Sequence, residues 1–286
     1  MYTFGYVSIV GKPNAGKSTL INTLVGEKVA IISSKPQTTR NNILGIRNGD
    51  KHQVVFIDTP GIHPSKNHLD KFMMKNVRTA LVGVDLILYL VDGSKIVDQD
   101  EKDYIEKLKS QEIPVLTVIT KADKSNKAEI NADIKISSFN GENIDLLMEE
   151  ILERLPKSQT KNFVYDEDDF TDKSIRFLIA ENIREVALKI LNKEIPHGIA
   201  VDIIKFDEKP NLVIIDADIV CERESHKGII IGKGGKTLKV IGQKAREESE
   251  KLLGQKILLK LFVKVEEDWR NKPNKINSLG YDDRLN

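Results

Sequence analysis

The chain has 286 residues, of which 40% are hydrophobic and 30% charged, with a formal net charge of +1. That length suits one large domain or two of ordinary size, and the composition excludes a disordered or collagen-like chain. The single cysteine, Cys221, excludes an intrachain disulfide and has no metal-site spacing, so a buried strand residue in a reducing cytosol is expected.

The N-terminal "MYTFGYVSIVGK" lacks the basic start and apolar core of a signal peptide. "YVSIV" (6–10) is β-branched and apolar, a buried strand, and "GKSTLINTLVG" follows as a helix. "QVVFID" (53–58) is the next strand. In "LDKFMMKNVRTALVG", Leu69, Phe72, Met73, Val77, Ala80 and Leu81 recur at helical spacing. "VDLILYLV" (84–91) is shorter than the ~18–20 residues a bilayer span needs and reads as a buried strand. A cytoplasmic protein, touching a membrane at most peripherally, is expected. "QDEKDYIEKLKSQ" is a charged helix, "PVLTVIT" (114–120) and "DIKIS" (133–137) are strands, and "ENIDLLMEEILERL" is a helix. Strands alternating with helices imply a mostly parallel sheet with helices on both faces.

The alternation stops near Leu155. Residues 157–174 are polar, acidic at "YDEDDFTD" (165–172), and read as an ordered connector or linker. Residues 175–192 form an amphipathic helix, followed by strands "IAVDIIKFDE" and "NLVIIDADIVCE", a glycine-rich stretch, a helix over 237–253 and the strand "KILLKLFVKVEE". This change of architecture divides the chain into a first domain over 1–156, the linker, a second domain over 175–271 and a tail over 272–286.

"GKPNAGKS" (11–18) matches the phosphate-loop pattern G-x-x-x-x-G-K-[ST] between a strand and a helix. Gly11 and Gly16 let backbone N–H groups approach phosphate oxygens, along the cradle Lys12, Pro13, Asn14 and Ala15. Lys17 reaches the terminal phosphates, Ser18 suits Mg²⁺, and Thr19 continues the helix whose N-terminus favours an anion. "DTPG" (58–61) ends the next strong strand: Asp58 is placed for a Mg²⁺-bound water, Gly61 for a phosphate oxygen, with Thr59 and Pro60 between them. "TKAD" (120–123) ends a third strand. Asp123 can accept both N–H groups of guanine, which adenine does not offer, and such a mismatch can cost roughly 10⁴-fold. The Lys121 stem can pack on the base, Thr120 begins the loop, and in "ISS" (136–138) Ser137 or, more naturally, Ser138 offers a backbone N–H to guanine O6.

These motifs resemble those of translation-factor-type GTPases over residues 5–155. The resemblance implies a mobile switch loop over 33–43 with a Mg²⁺-binding threonine, Thr39 with Thr38 as rival. Small signalling GTPases place a water-orienting Gln after Asp-x-x-Gly; here Ile62 stands there, so a slow intrinsic rate is expected. Asn14 matches the asparagine with which potassium-activated relatives bind K⁺.

"GIIIGKGGKTLK" (228–239) ends like a phosphate loop, but the first glycine would have to stand at Ile230. It fits G-x-x-G instead, Gly232-Lys233-Gly234-Gly235 after Ile231, the loop with which KH modules clamp a single strand of RNA. Lys227, Lys233, Lys236 and Lys239 supply phosphate contacts, and an adjacent apolar groove would hold bases. Two strands before the loop resemble the type II arrangement. The fold expected is therefore an α/β P-loop GTPase domain followed by an α+β type II KH domain. Trp269 is expected to pack on the second domain, with base stacking the alternative.

Ile62, Asn14 and a C-terminal KH domain together resemble the Era family of bacterial GTPases over nearly the whole chain. "TKAD" departs from the commoner Asn-Lys-x-Asp, and "ISSF" from the usual Ser-Ala. The resemblance implies GTP hydrolysis with Mg²⁺, binding of the KH domain to the 3′ end of 16S ribosomal RNA on the 30S subunit, a GTP state that favours RNA binding, peripheral contact with the inner membrane, and a monomer. Two other readings stay open: a regulatory GTPase acting mainly at the membrane, and an RNA-modifying enzyme driven by GTP. The second domain offers the latter no catalytic constellation, since Cys221 is mid-strand and His197 and His226 lie apart.

Overall fold

The computed structural model describes residues 1–35, 37–191 and 195–281, with the backbone alone at 196 and 197. The side chain of His197 and the last residues of the tail lie outside this description. The chain divides into two compact units. The first holds Met1–Ala30, Thr39–Pro64 and Met73–Asp172; the second holds Ile31–Thr38, Ser65–Phe72 and the chain from Lys173 on.

In the first unit, β1 (Tyr2–Gly11) leads through the phosphate loop into α1 (Lys17–Val25). A hairpin of β2 (Ile43–Gly49) and β3 (His52–Asp58) follows, then α2 (His68–Thr79), which belongs to this unit from Met73 on, β4 (Leu86–Asp92), α3 (Gln99–Lys109), β5 (Val115–Thr120), β6 (Ile134–Lys135), α4 (Ile144–Arg154) and the short β7 (Lys157–Ser158). The strand order is β2-β3-β1-β4-β5-β6, with β7 pairing β1. β1 runs parallel to both β3 and β4, β5 and β6 continue the parallel set, and β2 is antiparallel to β3. β4 is buried along its whole length, as a strand covered on both faces must be. The parallel strands end at one edge. The loops after β1, β3, β4, β5 and β6 gather there, the usual place for a ligand in an open α/β sheet.

The segment expected as a linker is ordered and belongs to the first unit through Asp172. It follows the outer edge of β2: the Ile46 N–H donates to the Phe170 carbonyl at 2.9 Å and the Thr171 hydroxyl to the Leu44 carbonyl at 2.7 Å. These bonds satisfy an edge strand that would otherwise present free backbone groups. The Gln53 carboxamide fixes the same segment, accepting the Val164 and Tyr165 N–H groups.

The second unit contains α5 (Ile175–Ile190), β8 (Ala200–Lys209), β9 (Leu212–Cys221), α6 (Glu224–Ile231), α7 (Lys236–Leu253), β10 (Ile257–Val265) and α8 (Pro273–Ser278). β8 and β9 form an antiparallel pair with an irregularity between Ile203 and Lys205, and β10 lies parallel to β9. Ile179, Ile183 and Ala187 of α5 and Ile241 and Ala245 of α7 share one core with Ile215, Ala217 and Ile219 of β9. Cys221 is buried in β9. Trp269 is fully buried, donates its Nε1–H to the Gly198 carbonyl at 2.9 Å and stacks on Tyr281. Among the described residues no helix is long and apolar enough to cross a membrane.

Candidate nucleotide site and candidate RNA groove

The phosphate loop is folded around its own lysine. Lys17 is buried, and its ammonium donates to the Gly11 and Lys12 carbonyls at 3.0 Å each. Burial pushes its pKa down to about 8, against the pull of Asp58. The Lys12 side chain turns out of the cradle to Asp98 and to Glu101 at 3.2 Å. Asn14 stands exposed at the loop tip with φ 65°. Ala15 is buried, Pro13 half-buried, and Gly16 begins α1 in the left-handed conformation.

Oxygens of Ser18, Thr39 and Asp58 converge. Ser18 Oγ lies 2.7 Å from Asp58 Oδ2 and 2.8 Å from Thr39 Oγ1, and Thr39 Oγ1 lies 3.3 Å from the same carboxylate oxygen. Asp58 Oδ1 is buried with no hydrogen-bond partner. Burial pushes the Asp58 pKa up to about 6, opposed by Lys17 and by the bonds from Ser18 and Thr39. A desolvated carboxylate with an unused oxygen, beside two hydroxyls, suits a small hard cation with oxygen ligands. The Thr38 hydroxyl is turned away and donates to the Lys35 carbonyl at 2.6 Å. Thr59 donates to the Ile9 carbonyl at 2.8 Å, and the Ile62 N–H donates to the Gly11 carbonyl at 3.1 Å, which lays the Asp-Thr-Pro-Gly loop, Pro60 and Gly61 included, along the phosphate loop. The Ile62 side chain packs on the core that includes Val10 and Tyr89, with no polar atom to offer a water.

The loop after β5 is tied to the phosphate loop. The Thr120 hydroxyl lies 2.8 Å from the Ala15 carbonyl and 3.1 Å from that of Val91. Lys121, at φ 60°, donates to the Asn14 carbonyl at 2.7 Å and pairs with Asp92 at 2.6 Å. Burial would raise the Asp92 pKa, but the bonds from Lys121 and Ser94 win and hold it below the ordinary carboxylate value. Asp123 is exposed, its Oδ1 accepting from Ser137 Oγ at 2.6 Å; Ser138 is half-buried beside it. Asp92 was not singled out by sequence reasoning. The signal for it was its place at the end of a buried strand on the same sheet edge as Asp58 and Thr120.

In the second unit the glycine loop joins α6 to α7. Gly232 (φ 74°, ψ 169°) ends α6 and Gly235 (φ 76°) caps α7. A Cβ on Gly232 would come within 2.2 Å of Thr237 Oγ1, whereas one on Gly234 would meet nothing within 4 Å. Lys233, Lys236 and Lys239 are exposed; Lys227 and Ile231 are half-buried. Beside the loop, α7 and β10 enclose a groove of about 550 Å³. Leu238, Leu259 and Leu261 give it an apolar floor, and Lys239, Gln243 and Arg246 a polar wall. Sequence reasoning placed a groove here but not its lining, which comes from residues on two elements.

The family described as 50S ribosome-binding GTPase matches residues 6–121, and the KH domain family matches residues 194–270. The GTPase Era of Alkaliphilus metalliredigens is 45% identical over 98% of this chain and 99% of its own length, and that of Clostridioides difficile 46% identical over 99% and 100%.

The chain belongs to the Era family of GTPases.

Era in complex with MgGDPNP and nucleotides 1506–1542 of 16S ribosomal RNA is similar in structure, with a TM-score of 0.91 and 37% identity over 98% of this chain and 99% of that one. A variant of Aquifex aeolicus Era bound to GDP·AlF4⁻ gives 0.90, again at 37% identity over 98% and 99%. As expected for the Era family, this chain is a GTPase with a P-loop domain followed by a KH domain.

Proposed function

We propose that this GTPase is a GTP-controlled RNA clamp acting on the 3′ end of 16S rRNA during assembly of the 30S subunit. The observation that carries the reading is the convergence of Ser18, Thr39 and Asp58 in a chain that also holds a basic glycine loop beside an apolar groove. The Era structure with MgGDPNP and nucleotides of 16S rRNA supports it.

Residues 1–156 carry the nucleotide. Gly11–Thr19 and Gly61 bind the phosphates, with Lys17 leaving its two backbone carbonyls for the terminal phosphates. Ser18, Thr39 and Asp58 would hold Mg²⁺, which would supply charge to neutralise the phosphates during hydrolysis of GTP to GDP and phosphate. Asp123 reads guanine, Ser138 offers its N–H to the base, and Thr120 and Lys121 hold that loop on the phosphate loop. Because Ile62 cannot order a water, Asn14 takes part by binding K⁺ at the loop tip. GTP turnover should then be faster in K⁺ than in Na⁺ buffer, and equal turnover would contradict the K⁺ site. Residues 175–271 carry RNA: the exposed lysines of the Gly232–Gly235 loop meet the backbone, and the Leu238–Leu259–Leu261 floor meets bases. The protein works as a monomer.

Crosslinking of the GTP-loaded protein to cellular RNA tests the assignment. Recovery of the 3′ end of 16S rRNA, lost in Gly234→Asp, is expected; recovery of unrelated RNA contradicts it.

A further inference from the structure

Helix α5 carries a buried polar cluster that binds residues 31–38 of the same unit. Arg184 is fully buried, one turn beyond Glu181, and Glu185 is almost fully buried beside it. A buried guanidinium is costly unless its donors are met; here Nε and Nη2 are partnered and Nη1 has no hydrogen-bond partner. Arg184 Nε donates to Glu181 Oε1 at 2.7 Å, and Nη2 donates to Glu181 Oε2 at 2.5 Å. Nη2 also donates to the backbone carbonyl of Thr38. Glu185 accepts the Ile32 N–H at 3.0 Å and is backed by Lys189 at 2.8 Å. The same helix therefore grips both ends of the 31–38 segment, and Ile31 is packed in the core with Ile179 and Ile183. A third anchor is the Gln37 carboxamide, which donates to Asp70 at 2.8 Å.

The residue after Thr38 is Thr39, whose hydroxyl meets Ser18 and Asp58. Fixing the Thr38 carbonyl fixes the peptide plane that leads directly into Thr39. We propose that Arg184, a residue of the RNA-binding part of the chain, is a positioning residue for the nucleotide site: through the Thr38 carbonyl it sets the place of the Thr39 hydroxyl. The inference rests on the reading of Thr39 as the Mg²⁺ hydroxyl used with GTP. The planar fork of arginine can serve Glu181 and Thr38 together; the single ammonium of lysine cannot hold both in that geometry.

The test uses the full chain and compares wild type, Arg184→Lys and Thr39→Ala. It measures affinity for GDPNP and for GDP in Mg²⁺, with melting temperature recorded for each. Loss of one charge-assisted hydrogen bond should weaken GDPNP binding about tenfold or more and leave GDP binding nearly unchanged. A merely structural role would lower stability and weaken both nucleotides alike. The double variant Glu181→Leu/Arg184→Leu, which replaces the buried pair by apolar side chains, should show the same GDPNP-selective loss in a folded protein. If Thr39→Ala lowers the GDPNP-to-GDP affinity ratio and neither Arg184 variant does, the role of Arg184 is overturned. If Thr39→Ala leaves the ratio unchanged, the threonine reading fails and the inference falls with it.

Discussion

The Thr120 hydroxyl donates to the Ala15 carbonyl at 2.8 Å. This bond joins the loop after β5, proposed to read the base, to the phosphate loop, where the Asn-Lys-x-Asp pattern would place an asparagine. Thr120 lacks the second donor of a carboxamide, and Lys121 supplies a further tie to Asn14. Thr120→Val, similar in size but without the hydroxyl, should leave the buried Ala15 carbonyl short of a donor and cost about 1–3 kcal/mol. GTP and GDP affinity should fall together, by roughly tenfold, with preference for guanine over adenine retained. Titration with both nucleotides and with ATP checks this.

With Asp58 at the proposed Mg²⁺ site, metal binding should depend on pH. The Asp58 pKa is raised from 3.8 to about 6 because burial disfavours the charge. A raised carboxyl favours the folded protein below about pH 4, and that contribution is lost as pH rises through about 6, a difference of roughly 3 kcal/mol. At that site Mg²⁺ would need the ionised carboxylate, so binding should release a proton below about pH 6. Mg²⁺ affinity in the presence of nucleotide should be about tenfold weaker at pH 5 than at pH 7. Asp58→Asn, measured with the same nucleotide, should remove this part of the pH dependence along with most of the affinity. Calorimetry at several pH values reads both.

Trp269 acts in packing. Its indole is fully buried against Tyr281 with its N–H on Gly198. Trp269→Ala should destabilise the second unit by about 3–5 kcal/mol, read as a lowered denaturation midpoint. Trp269→Phe should cost about 1–2 kcal/mol and leave RNA affinity of the folded protein unchanged. Loss of RNA binding in a stable Trp269→Phe protein would favour base stacking instead.

The glycine loop offers a clean substitution at Gly234. Its added side chain meets open space, and aspartate tolerates the left-handed backbone. Gly234→Asp should abolish RNA binding by like-charge repulsion of phosphate and leave GTP affinity intact. Gly232→Asp would collide with Thr237 and mix a folding defect with the charge effect. Parallel filter-binding of RNA and GTP separates the two sites.

Much of the site was legible because each loop is a run of consecutive residues fixed by one chemical task. Gly11–Ser18 and Asp58–Gly61 are such runs, and so is the Gly232–Gly235 loop. The hairpin strand β2 was missed: "ILGIRNG" lies next to the expected switch loop, and its only local sign was the turn before "HQVVFID". The connector through Asp172 reads as a connector or linker without a stated place because its partners are the edge of β2 and Gln53, more than a hundred residues away. Arg184 was illegible for the same reason. On a helical wheel it is one more polar position, and its role depends on a carbonyl 146 residues earlier. Asp92 ends a strand like many aspartates, and only the sheet order brings it to Lys121.

The coupling of nucleotide state to RNA is tested most directly by the affinity of the full chain for a single-stranded RNA with the 3′-terminal sequence of 16S rRNA, loaded with GDPNP in one arm and GDP in the other. Helix α5 bonds residues 31–38 within the second unit; on the proposed function, this is where the state of the switch loop would be linked to that of the RNA clamp. Tighter RNA binding with GDPNP, by about fivefold or more, is the expected result, with RNA tightening GDPNP by the same factor. Equal RNA affinity in the two arms would contradict the coupling.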